Sequence, residues 1–177
     1  MRGSSWQGLD IAARNLTPTL LIVALVFVGQ LPFSLAGHAS VTPYFVLMAV
    51  YYWGLHRPDL LPAYVVFIVG LMQDALEGEP FGVNAFVLIA IYWMVALQQR
   101  HFRGQPFLVV WAGFAAAALM AGVLRWILVS FLLGAALAPW AAMLEFFLTV
   151  MFYPVLTVAF ALAHRTLPAG GAGDFID

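Results

Sequence analysis

Six apolar runs separated by short polar breaks make up nearly all of this 177-residue sequence, which leaves few folds open to it. Only 8% of its residues are charged and 64% are hydrophobic, against about 25% charged in an ordinary soluble domain. A helix needs about 20 apolar residues to cross a bilayer core, so the chain has room for six spans, short loops and no second soluble domain. The expected fold is an all-α integral membrane protein with six transmembrane helices. Residues 1–15 form a polar N-terminal segment, 16–164 the transmembrane domain and 165–177 a Gly- and Ala-rich flexible tail.

The same pattern excludes several functions. Basic and acidic residues number 7 and 8, every basic residue is Arg, and no cluster reads as a nucleic-acid surface. The absence of cysteine removes disulfides, a thiol nucleophile and thiolate metal sites. His38, His56, His101 and His164 fall at loops or span ends, far apart in sequence, and read as interfacial residues rather than metal ligands. No cofactor is implied.

The first run, Leu16 to about Ala36, ends in Ser34 and Ala36, the small-residue spacing of a secretory cleavage site. The run is longer than a signal peptide's apolar region of about 7–15 residues, and a retained first span is expected. Val41 to Leu55 is short for a span, at about 22 Å, and ends in Tyr51, Tyr52 and Trp53, aromatic residues that favour the membrane-water boundary. Leu60 to Leu76 follows. A fourth run starts near Pro80 and reaches Leu97, with Gln98 to Gln105 as a polar loop. Pro106 opens the fifth run, to about Ala135, and Pro139 the sixth, to about Ala163. Pro154, inside the sixth, removes the hydrogen bond to Val150 and predicts a kink, tolerated where a neighbour satisfies the freed carbonyl.

Orientation follows from the arginines. With both termini cytoplasmic, six spans put Arg2, Arg14, Arg57, Arg100, Arg103 and Arg165 on the cytoplasmic side. The loops from Gly37 to Thr42, Gly78 to Gly82 and Gly134 to Ala138 then face outward. Arg125 is the exception, inside the fifth run. Counting inward from the outer side puts it about 12 Å deep and Glu145 about 10 Å deep. An isolated charge at such depth costs at least roughly 2.5 kcal/mol, so pairing of Arg125 with Glu145 is expected, with Asp74 a competing partner. Such a pair either fixes helix register or marks a polar cavity or partner site.

Gly113, Ala117 and Ala121 recur at fourfold spacing, beside Ala118 and Gly122. Small residues at that spacing let helices approach closely, either within the bundle or in a groove for a partner's helix. The stretch Gly70 to Asn84 is an acidic interruption with Asp74, Glu77 and Glu79. On a helix, Gly70, Gln73, Asp74 and Glu77 share one face. Glu79 reads as part of a solvated turn. Asp74, followed by apolar Ala75 and Leu76, reads as part of an outward-facing polar pocket or binding surface, with Asn84 opposite and Pro80 and Gly82 shaping the turn. No catalytic constellation, phosphate loop or H-E-x-x-H motif occurs, so a non-enzymatic protein is expected.

The order Val50-Tyr51-Tyr52-Trp53-Gly54-Leu55 with Arg57-Pro58, then Gly70-Leu71-Met72-Gln73-Asp74-Ala75-Leu76 and Gly78-x-Pro80-x-Gly82-x-Asn84-Ala85, resembles the bacterial rod shape-determining MreD family. The motifs cover about residues 44–97; elsewhere the likeness rests on length and hydropathy. The resemblance implies a multi-pass inner-membrane scaffold of the cell-elongation machinery that binds MreC and helps regulate peptidoglycan synthesis. Through MreC it would connect to MreB, RodA and its transpeptidase. Membrane lipid and a second copy of the chain are further contacts open to such a scaffold. The family is distantly similar to the S components of energy-coupling-factor transporters, which implies an S-component-like bundle and supplies the rival function, substrate binding for a vitamin-like transporter. S components carry an Ala-x-x-x-Ala contact on their first helix. Here Ala24 is followed four residues later by Val28, a departure that counts against the transporter.

Overall fold

The computed structural model describes residues 19–30, 42–78, 80–102, 104–134 and 139–166, the side chains of 59 and 162–166 aside. The N-terminal segment 1–15, the Ser34 to Ala36 pattern, Glu79, Arg103, the tail beyond 166 and most of the Gly37 to Thr42 and Gly134 to Ala138 loops lie outside these residues.

Among the described residues the secondary structure is entirely helical. The helices are α1 (Thr19–Gly29), α2 (Phe45–His56), α3 (Ala63–Glu77), α4 (Val83–Phe102), α5 (Phe107–Leu133) and α6 (Pro139–Thr166), with a 3-10 turn at Pro58–Leu60. Among the described residues three segments are long and apolar enough to cross a membrane by themselves, Val83–Phe102, Phe107–Leu133 and Pro139–Ala161. At 1.5 Å per residue, α1, α2 and α3 reach only about 17 to 22 Å, short of a hydrocarbon core of about 30 Å. The surface is that of a membrane protein: Phe131 is 82% exposed, Leu97 79% and Met151 73%, a density of large apolar groups that water does not tolerate.

The short second run becomes the centre of the bundle. Every residue from Phe45 to Leu55 is buried, as a helix apolar on all sides requires. Tyr51, Tyr52 and Trp53, in the last turns of this helix, face protein rather than lipid. Tyr51 Oη donates to the Val110 carbonyl at 3.2 Å, and the Tyr52 ring stacks on His56 at 4.4 Å. Phe114 stacks on Tyr153 at 3.9 Å beside Tyr51.

Two helix boundaries differ from the sequence expectation. α4 starts at Val83, not near Pro80, because Gly82 has φ 97°, outside the helical region. It then runs through the supposed polar loop to Phe102, since Gln98, Gln99 and Arg100 are good helix formers. Gln99 Nε2 donates to the Gly54 carbonyl at 2.7 Å. That carbonyl would otherwise face Pro58, four residues on, which has no N–H to give. The bond also sets Arg57 and Arg100 at the same end of the bundle, the ends of α2 and α4.

Pro154 lies inside α6 and leaves the Val150 carbonyl without its helical donor. Trp111 Nε1 of α5 donates to it at 3.1 Å. Trp111→Phe is therefore expected to destabilise by about 1–3 kcal/mol, the cost of an unpaired buried carbonyl. In a Pro154→Ala background, where the backbone N–H returns, the same change should cost far less. Thermal unfolding of the four variants checks this; equal losses in both backgrounds would show that the indole acts by packing alone.

α3 and α4 form the tightest pair. Gly70 is buried against Ala85, and a methyl group built on it would overlap the Ala85 Cα and lie 2.6 Å from its nitrogen. This approach brings the acidic end of α3 under the first turn of α4.

Candidate functional site

At the end of the bundle opposite Arg57 and Arg100, the polar residues of five helices or their flanks form one network. Asp74 is fully buried, and its two oxygens accept the backbone N–H groups of Gly82 at 2.8 Å and Asn84 at 2.9 Å. The first N–H groups of a helix have no partner within it and carry the positive end of its dipole. Asp74 thus caps α4 from the neighbouring helix and ties down the turn containing Pro80 and Gly82.

Asn84, also fully buried, accepts the Tyr44 hydroxyl on Oδ1 at 2.8 Å and donates from Nδ2 to Glu77 Oε2 at 3.3 Å. Glu77 Oε1 accepts Gln73 Nε2 at 3.1 Å. The Arg125 guanidinium then joins α3, α5 and α6: Nη2 meets Glu77 Oε2 at 2.9 Å, and Nη1 meets Glu145 Oε1 at 2.7 Å. Its Cζ lies 5.5 Å from the centre of the Tyr44 ring, within cation–π range. The Tyr44 amide, ahead of α2, donates to buried Thr149 Oγ1 at 2.9 Å.

The expectation that Asp74 competes for Arg125 is corrected: Glu77 holds that place. Asp74 sits one turn deeper, and both its oxygens are committed to the amides of α4. For the same reason Asp74 does not line an outward pocket. The groups that approach the surface are Glu77, Arg125 and Glu145, with side chains 26%, 18% and 27% exposed. Gly70 serves the helix contact with Ala85 rather than a polar surface.

Gly113, Ala117 and Ala121 turn inward. A methyl on Gly113 would lie 2.6 Å from the Phe102 ring and 2.8 Å from Tyr51 Oη, and Ala117 and Ala121 are fully buried. The neighbouring Gly122 instead borders an apolar groove of about 250 Å³ between α5 and α6, with Leu119, Trp126 and Phe146 among its walls. Among the described residues no group of three His, Asp or Glu is placed to hold a metal ion. His56 Nδ1 is 2.9 Å from the Tyr52 carbonyl and so acts as a donor.

Sequence reasoning missed Tyr44, Thr149 and Trp111. The signal for Trp111 was indirect: Pro154 announces a freed carbonyl, and an indole N–H is a natural donor for it.

Helices with apolar outer faces, closed around Arg125 and the two glutamates that pair with it, define an all-α integral membrane protein with an ionic network between its helices. A family model described as rod shape-determining protein MreD matches residues 11–162, and the chain belongs to that family. The matched region contains the whole network from Tyr44 to Thr149. Its role is accordingly in rod shape determination. Comparison with curated proteins and with solved structures gives no match.

Proposed function

We propose that this chain is a non-catalytic scaffold of the inner membrane that binds MreC through the surface around Glu77, Arg125 and Glu145. The carrying observation is that this ionic network reaches the surface of a bundle whose α5 and α6 expose mainly large apolar side chains. Packing of apolar helix faces then supplies affinity in lipid, and the charges supply specificity, because leaving them against a wrong partner is costly. Through MreC the scaffold meets MreB, RodA and the transpeptidase, and so influences peptidoglycan synthesis. A scaffold rather than an enzyme fits the network's chemistry: Asp74 and Glu77 hold backbone amides, an amide side chain and a guanidinium, which leaves neither poised as an acid or base.

The six spans are retained in this reading. Arg57 and Arg100 at one end and the acidic network at the other support cytoplasmic termini and an outward-facing network.

Asp74→Ala is expected to lower co-purification of MreC at least fivefold, because the turn after α3 loses its anchor while the apolar spans still insert. Asp74→Asn, which keeps one acceptor, should lose less. Pull-down at wild-type strength from membranes holding equal amounts of the Ala variant would sink the proposal. A bound small molecule and an ATPase module in place of MreC would establish the transporter instead.

A further inference from the structure

The ion pairs of Arg125 gauge how high each helix rises at this end of the bundle. α3 and α5 both run toward the network, so their side chains lean the same way along it. The 2.9 Å contact of Glu77 with Arg125 therefore sets the last residue of α3 level with Arg125 of α5. α3 stops there: Gly78 closes it at φ 71°, and the Gly82 N–H reaches back to Asp74 at 2.8 Å, so the chain folds back instead of rising. α5 continues from Trp126 to Leu133, about 12 Å further. α6 begins at Pro139, about 9 Å beyond Glu145. The two long helices thus extend about 10 Å past α3 and the start of α4.

These extended ends are apolar. Trp126 to Leu133 and Pro139 to Leu144 contain no charged residue. Ile127, Phe131, Leu132, Leu133 and Met143 each have half or more of their surface exposed, a density of apolar groups that belongs in hydrocarbon rather than water. Beside α3 the hydrocarbon has less to cover. Its exposed apolar side chains, Tyr64, Phe67, Ile68 and Leu76, end one residue before Glu77. α3 spans about 22 Å, roughly 8 Å less than a hydrocarbon core, and a short apolar face draws the bilayer thin around it.

We propose that this chain deforms the membrane: the leaflet at the network's end stands about 10 Å lower beside α3 and the start of α4 than beside α5 and α6. The occupant of the α3 face is phospholipid with shortened or strongly bent acyl chains, its headgroups at the level of Leu76 and Glu77. Lowered headgroups and the water among them also reach the partly exposed Glu77, Arg125 and Glu145, which relieves the cost of charge in hydrocarbon. The step follows from helix lengths and exposed side chains, and it requires no contact with MreC.

The chain has no cysteine, so a single introduced one takes a label at a chosen site. Leu76→Cys and Ile127→Cys, both at exposed positions, each carry a nitroxide spin label in the full chain, reconstituted into dioleoyl phosphatidylcholine vesicles. Electron paramagnetic resonance reads their depth from collisions with oxygen and with a water-soluble nickel chelate. In the bundle Ile127 stands about 4 Å beyond Leu76, so a flat leaflet would leave the Leu76 label the deeper of the two. A lowered leaflet reverses that order: the Leu76 label should collide with the chelate at least fivefold more than the Ile127 label. Equal chelate exposure at the two sites, or more at Ile127, overturns the inference. A Leu76 label shielded from both oxygen and chelate also overturns it, since protein from a second copy would then cover α3. With MreC absent from these vesicles, failure leaves the scaffold reading standing.

Discussion

Gly70→Ala is expected to destabilise the protein by about 3 kcal/mol, the upper part of the range for forcing extra volume into a packed contact. The usual sign for such a change is opposite: within a helix, alanine is favoured over glycine by about 1 kcal/mol. Here the added methyl meets backbone, the Ala85 Cα and nitrogen, which cannot rotate away as a side chain would. α3 and α4 must part, and the carboxylate of Asp74 then withdraws from the amides of Gly82 and Asn84. Gly122→Ala is the control, since nothing lies within 4 Å of a methyl there, and it should be neutral or slightly stabilising. Thermal unfolding in detergent or nanodiscs distinguishes the two; a Gly70→Ala midpoint equal to wild type would show that the helices can slide without loss.

Arg125→Met is expected to cost about 3 kcal/mol, the low end for removing one member of a buried ion pair, given the partial exposure of all three side chains. The loss comes from what remains. Glu77 and Glu145, both drawn to the guanidinium, are left as like charges near one another in a region of poor solvation. Removing the charges as well, in Arg125→Met with Glu77→Gln and Glu145→Gln, should recover most of the stability. If the triple variant unfolds as easily as the single one, packing of the arginine stem rather than charge holds the helices there.

The apolar runs, the helix starts after Pro106 and at Pro139, and the burden of Pro154 were all legible in the chain. Each follows from a local constraint: the length of hydrocarbon to be crossed, or the missing N–H of proline. Counting residues likewise puts Arg125 and Glu145 at one depth, and they lie 2.7 Å apart. Glu77 was harder to assign than Asp74, because both fall on the same face of α3 and helix spacing alone treats them alike.

What separates them is where α3 meets α4. The sequence by itself determined that this is a helical membrane protein of the rod-shape type, because bilayer thickness and backbone hydrogen bonding leave apolar runs of this kind little choice. Only the tertiary structure decided the division of labour among its acids. The contact of Gly70 with Ala85 slides Asp74 beneath the open amides of α4 and leaves Glu77, one turn outward, within reach of Arg125. That distinction depends on the approach of two backbones to within a methyl's width, a distance that no residue spacing encodes.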